Sequence, residues 1–264
     1  MTYPLHTEIS GTGDPLVLIH GMGSASTAWK PIRSQLNKDF TVITIDLPGH
    51  GKTPYSKGQP MDPHTLGTYV LDQLSTEGIH RFHLAGNSLG GWVAMEMASY
   101  TPARVRSLVG IAPAGLWLNP YSARYPGTAV ARFLARYTAK LAPTALHFEK
   151  ARALGFADVS PRWKAFSYEL CLDATLAMSS ADGYYPAWDG MLMKRFDSFI
   201  PESIPTTIIF GDTDRTLPAT TCQERSVAPS HAKWIIFPET GHAPMWDAPL
   251  DVIDEIKKVS LLAS

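Results

Sequence analysis

The stretch Phe82-His83-Leu84-Ala85-Gly86-Asn87-Ser88-Leu89-Gly90-Gly91 decides the fold. Phe82 to Ala85 reads as a short strand, and Leu89 to Tyr100, rich in Ala and Met, reads as a helix. Gly86-Asn87-Ser88-Leu89-Gly90 between them is a Gly-x-Ser-x-Gly turn. The pattern is short and common, and its weight comes from the strand before it and the helix after it. A serine on so tight a turn has a strained backbone and a protruding hydroxyl. Small residues at Gly86, Gly90 and Gly91 let strand and helix pack close on either side.

The same rhythm extends both ways. Pro15 to Ile19, Thr41 to Ile45, Val105 to Ala112, Thr206 to Phe210 and Lys233 to Phe237 are short apolar runs, as in parallel strands buried on both faces. Helical spacing appears over Ala25 to Lys38, His64 to Thr76, Thr220 to Val227 and Leu250 to Leu262. Ile9 to Asp14 is turn chemistry between two extended runs. This alternation predicts an α/β protein with a doubly wound, mostly parallel sheet. From about Leu116 to Ile200 the rhythm breaks into helical patterns rich in Tyr, Trp, Phe and Met. The simplest account is one core domain, residues 1–115 and 201–264, interrupted by a helical insert over 116–200.

Composition bounds the partners. With 45% hydrophobic and 18% charged residues in 264, the chain is an ordinary globular protein rather than a disordered one. A net charge of -1 offers no basic footprint, so no nucleic acid is expected. No apolar run approaches the roughly 20 residues of a membrane span. Met1 to His6 lacks the basic and apolar regions of a signal peptide. A cytoplasmic protein, monomer or homodimer, without a membrane partner is expected. Cys171 and Cys222 have no zinc-like spacing and read as reduced thiols.

A serine hydroxyl needs a base in contact to act as a nucleophile at neutral pH. Among nine histidines, His242 stands out, in the loop Glu239-Thr240-Gly241-His242-Ala243-Pro244 after the last strand. That is the carboxyl end of the strand, where open parallel sheets place ligands. The base needs an acid to fix its tautomer. Gly211-Asp212-Thr213-Asp214 follows the strand ending at Phe210 and offers two. Asp214 lies further into the loop and has the better reach; Asp212, nearer the strand, suits a turn cap. For the developing oxyanion, the backbone N–H groups of Leu89 and Met22 are the expected donors, the latter in His20-Gly21-Met22-Gly23. His20 itself reads as a residue that orders the loop.

These stretches, with Asp46-Leu47-Pro48-Gly49-His50-Gly51, together resemble the α/β-hydrolase superfamily nearly end to end, leaving only the insert unmatched. The order Ser88, Asp214, His242 is the order of that fold, and the resemblance also favours Asp214 over Asp212. It implies an acyl-enzyme mechanism without cofactor or metal, and an insert that serves as a cap, or lid. Ser88 stands where haloalkane dehalogenases and epoxide hydrolases have Asp and dienelactone hydrolases have Cys. It therefore points to esterases, lactonases, thioesterases, amidases and carbon–carbon bond hydrolases. Gly-Asn-Ser-x-Gly-Gly is similar to the meta-cleavage-product hydrolases. Met22-Gly23-Ser24 and Ala243 depart from that group, which has a Gly-Pro-Gly-like loop and a Trp after the histidine. Carboxylic esters of small to medium size rank first as substrates. Carbon–carbon cleavage, lactones and thioesters follow, and a receptor-like role without catalysis ranks last. Carbon–carbon cleavage would need a cation near the cap, for which Arg162 and Arg195 are candidates if they are not plain surface charges. Tyr121, Tyr125, Trp163, Tyr184, Tyr185 and Trp188 either line an apolar pocket or build the core of the cap.

Overall fold

The computed structural model describes residues 4–120 and 128–263. The strands are β1 (His6–Gly11), β2 (Asp14–Ile19), β3 (Phe40–Asp46), β4 (Phe82–Asn87), β5 (Val105–Ile111), β6 (Thr206–Gly211) and β7 (Lys233–Phe237). They form one sheet in the order β1-β3-β2-β4-β5-β6-β7. β1 runs antiparallel to β3, with His6 opposite Asp46, and the other pairs are parallel. The extended runs flanking Gly11 to Gly13 therefore do not pair with each other, because β3 lies between them.

Alternation along the strands sends successive side chains to two separate cores. Val17, Ile19, Ile43, Ile45 and Leu84 pack on one face under α2 (Pro63–Thr76) and α3 (Leu89–Tyr100). Leu16, Leu18, Val42, Ala85 and Ile209 pack on the other, under α1 (Lys30–Leu36) and α11 (Pro249–Leu261). Both faces are covered, so the central strands are apolar throughout rather than alternating with polar residues.

Among the described residues, five α-helices lie between β5 and β6: α4 (Thr128–Thr138), α5 (Ala142–Ala145), α6 (Glu149–Phe156), α7 (Tyr168–Ser180) and α8 (Tyr184–Met191). They have a small core of their own around Leu146, Phe156, Phe166 and Cys171. α8 instead joins the sheet's core through Ala187, Trp188 and Met191.

Two helices differ from expectation. The one expected from Ala25 begins as a 3-10 turn, Ser26–Trp29, before α1. Ser26 N is drawn to Asp46 Oδ1 at 2.7 Å, which fixes the chain's entry. The helix expected over 220–227 is only α9 (Ala219–Cys222). Glu224 N leaves the helical ladder for Leu116 O at 2.9 Å, and Glu224 Oε1 accepts from Ser226 N at 3.0 Å. These local and tertiary hydrogen bonds outcompete a second helical turn. The remaining short helix, α10 (Pro244–Asp247), follows His242 directly.

Candidate active site

β2 and β4 are neighbours whose outgoing connections run in opposite directions, to β3 on one side and β5 on the other. Ligands of open α/β sheets bind at such a switch point, outside the carboxyl ends of the strands. The loops after β2 and β4 meet there: a Cβ on Gly21 would stand 3.1 Å from the Ser88 Cβ.

Ser88 has φ 54 and ψ -118, in the region that side-chain-bearing residues rarely adopt. Such a conformation costs about 1–3 kcal/mol and persists only where the surroundings over-determine it. Here they do. Ser88 N donates to Ile111 O at 3.0 Å, and Ser88 O accepts from Gly91 N at 3.0 Å and Ala114 N at 2.9 Å. A Cβ at Gly86 would stand 2.1 Å from Gly90 O, and one at Gly90 2.2 Å from Ile19 O. The turn can close this tightly only with glycine at both positions. Leu89 opens α3, so its amide belongs to the first turn, whose N–H groups have no partner within the helix. Met22 lines the same cavity as Ser88 and His242.

His242 is held from several directions. Its Nδ1 lies 2.9 Å from Asp214 Oδ2. The Asp214 side chain is fully buried, and its other oxygen accepts from Thr216 N at 2.9 Å and Leu217 N at 2.8 Å. Asp212 is turned elsewhere and accepts from Thr240 N at 3.2 Å, the cap-like role expected of it. The His242 carbonyl accepts from Asn87 Nδ2 at 3.2 Å, and the same amide group donates to Ile111 O at 3.1 Å. In the sequence Asn87 stood only as a mark of resemblance; here, directly before Ser88, it braces the histidine loop against the end of β5.

His20 orders its loop. Leu47 N donates to Nε2 at 3.0 Å, which leaves Nδ1 to donate to Gly21 O at 2.7 Å. Burial pushes its pKa down and keeps the ring neutral.

Ser88 and His242 open onto a cavity of about 410 Å³. The helices after β5 supply most of its wall, including Ala135, Ala142, Ala145, Leu146, Ala174 and Met178. No Asp, Glu, Lys or Arg is among its described lining residues. Of the aromatic residues weighed as pocket lining or as core of the cap, the described ones do not line the cavity. Trp163 packs on the small core of the insert, Tyr184 and Trp188 are buried, and none of these, nor Tyr185, lines the cavity. Tyr121 and Tyr125 lie outside the described residues. The wall is built instead mainly from alanines and leucines with Met178, Phe156 and Trp246, a composition that neither aromatic content nor motif spacing reveals.

The two candidate cations are also elsewhere. Arg162 Nη1 donates to Asp247 O at 3.0 Å, and Arg195, on a separate cavity, donates to Leu118 O at 3.2 Å. Among the described residues no cluster of three or more His, Cys, Asp or Glu could hold a metal ion. None of their helices is long and apolar enough to cross a membrane.

Residues 16–255 match the model of the alpha/beta hydrolase family. The chain belongs to the alpha/beta hydrolase family. It is thus a hydrolase whose relatives include esterases. A pimeloyl-[acyl-carrier protein] methyl ester esterase of Legionella pneumophila (strain Corby) is 29% identical over 96% of this chain and 99% of the relative. An uncharacterized protein of Mycobacterium tuberculosis is 28% identical over 95% of this chain and 76% of the relative. Among solved structures, the enol-lactonase from Burkholderia xenovorans LB400 superimposes with a TM-score of 0.74 at 20% identity, over 97% of this chain and 95% of that one. At that identity the likeness speaks for the alpha/beta hydrolase fold alone.

Proposed function

We propose that this alpha/beta hydrolase cleaves carboxylic esters with an uncharged, small-to-medium aliphatic acyl group, through an acyl-enzyme on Ser88. The observation that carries the reading is one arrangement. Ser88 and His242 share a largely apolar cavity with no Asp, Glu, Lys or Arg among its described lining residues, and the buried Asp214 occupies His242 Nδ1. With Nδ1 engaged, Nε2 is free to take the Ser88 proton as Oγ attacks the ester carbonyl. The amides of Met22 and Leu89 receive the negative charge that forms on the carbonyl oxygen. His242 then gives its proton to the departing alkoxide. Water, deprotonated by the same ring, releases the acid and restores Ser88. The helices between β5 and β6 are the cap, and they supply the apolar wall for the acyl group.

The cavity also argues against carbon–carbon cleavage of a dienoate. That reaction expels a carbanion and must hold the substrate's carboxylate, yet no cation is present among the described lining residues. The esterase named among the relatives supports the same choice. The test is a comparison of kcat/KM for p-nitrophenyl acetate through decanoate with that for a 2-hydroxy-6-oxo-dienoate. Esters should turn over, rising from acetate into the medium chain lengths, with the dienoate nearly inert. A dienoate cleaved faster than every ester would reverse the assignment.

A further inference from the structure

The loop that carries His242 is supported by a carboxylate for which ester cleavage has no chemical use. Asp247, at the end of α10, is buried. Its Oδ2 accepts from Gly241 N at 2.8 Å, the amide directly before His242. Its Oδ1 accepts from Ser160 Oγ, a buried hydroxyl on the segment after α6. Ser160 Oγ in turn accepts from Arg162 N at 2.9 Å. Beside this pair, His242 N donates to Val159 O at 2.9 Å. The two backbones are so close that a Cβ on Gly241 would stand 2.1 Å from Val159 O.

One carboxylate thus joins two pieces of chain that are distant in sequence. Burial alone pushes the Asp247 carboxyl up from its ordinary value, against hydrogen bonds from Ser160 and Gly241 and the charge of Arg162. Keeping a buried carboxylate is costly unless its oxygens are engaged, and both are. What the two oxygens hold has a direction. One holds the base's loop, and the other holds a segment whose Phe156 and Val159 wall the acyl cavity.

We infer that Asp247 is a positioning residue, which sets the His242 loop in register with Ser88 and ties that register to the seating of segment 156–162 against it. The base and part of the acyl wall then move as one body. A substrate that disturbs the wall disturbs the base, and a well-seated chain steadies it. The inference rests on the reading of Ser88 and His242 as nucleophile and base.

Fluorophosphonate labelling of Ser88 tests it, since the rate reports base assistance and the final stoichiometry reports folded enzyme. Asp247→Ala should label to completion but on the order of 10²-fold more slowly, the loss typical of a misplacement near 1 Å. Asp247→Asn keeps an acceptor for Gly241 N and a partner for Ser160, and should recover most of the rate. Ser160→Ala cuts only the tie to the insert. It should lower kcat for octanoate severalfold, and for acetate less. Wild-type labelling rates in Asp247→Ala would overturn the inference, as would Asp247→Asn being as slow as Ala. If Asp247→Ala fails to reach full stoichiometry, Ser160→Ala decides, and an unaltered ratio of octanoate to acetate turnover overturns the link to the wall. A wild-type protein that does not label at Ser88 would instead sink the underlying reading of the site.

Discussion

Across the cavity, the loops at the carboxyl ends of the strands face the helices inserted between β5 and β6, and the two sides are built differently. On the loop side, backbone meets backbone. Ser88 is locked by three hydrogen bonds of 2.9–3.0 Å, and His242 is held through its Nδ1, its amide and its carbonyl. On the insert side the wall is made of apolar side chains of mixed size, from Ala135 and Ala174 to Leu146, Met178 and Phe156, and large side chains beside it are left in solvent. Phe133 is 58% exposed and Tyr137 71%. The difference follows from what each side must do. Proton transfer and attack on a carbonyl need reacting groups held within fractions of an ångström. An acyl chain needs only room and low polarity. Substitutions on the loop side should therefore decide whether any ester is cleaved, and substitutions on the insert side which ester.

The sharpest break should come from Ser88→Ala. Turnover should fall by about 10⁴–10⁶ for every ester, as for removal of a nucleophile in serine proteases. Thermal melting should be little changed, since the position's strain is unaltered and one oxygen is lost. Activity surviving in this variant would end the account of the loop side.

Asp214→Asn should lower kcat by about 10⁴, because an amide stabilises the wrong tautomer of His242. Asp212→Asn should cost far less, because that carboxylate only receives Thr240 N. Steady-state kinetics of the two variants side by side would show a reversed order if the assignment is wrong.

Ala174→Phe probes the insert side. It should lower kcat/KM for octanoate by about 10–10²-fold, within the range that pocket size can discriminate, and leave acetate within a few-fold of wild type. Equal losses for both esters would mean that the wall also positions the reacting groups.

The smallest effect concerns stability rather than rate. His50, buried within the loop after β3, has its pKa held down from 6.5 to about 3, chiefly by burial and then by neighbouring His20. Its folded form stays neutral while the unfolded chain takes up a proton below pH 6.5. Since the unfolded state then binds more protons, stability should fall as pH drops from about 6.5 towards 3, by at most about 1.4 kcal/mol per pH unit from this group. Urea melts at pH 7 and pH 5 should show the loss, and His50→Asn should reduce it, leaving the share that the buried His20 contributes. An unchanged slope would mean that this histidine is not what makes the loop side acid-sensitive.

How much of this was legible beforehand differs between the two sides in the same way. The strands, the mostly parallel sheet and the Gly-x-Ser-x-Gly turn were readable because each is written in neighbouring residues: an apolar run, a glycine at a fixed offset, a helix signal directly after. The helix expected over 220–227 failed because a contact from Leu116 O, far away in the chain, captured Glu224 N. The aromatic residues of the insert were visible as a composition, but composition does not say which of them face a cavity.

By itself, the sequence determined the alpha/beta architecture, and it named Ser88, His242 and a pair of aspartates, Asp214 preferred to Asp212, as candidates. Tertiary structure decided the rest. It set Asp214 rather than Asp212 against His242, across 28 residues. It brought Asn87 to the His242 carbonyl across 155 residues, and Ser160 to Asp247 across 87. Local propensity and periodicity carry no information about such pairs. They exist only because the sheet brings the ends of non-adjacent strands together, and packing then fixes which side chains meet there.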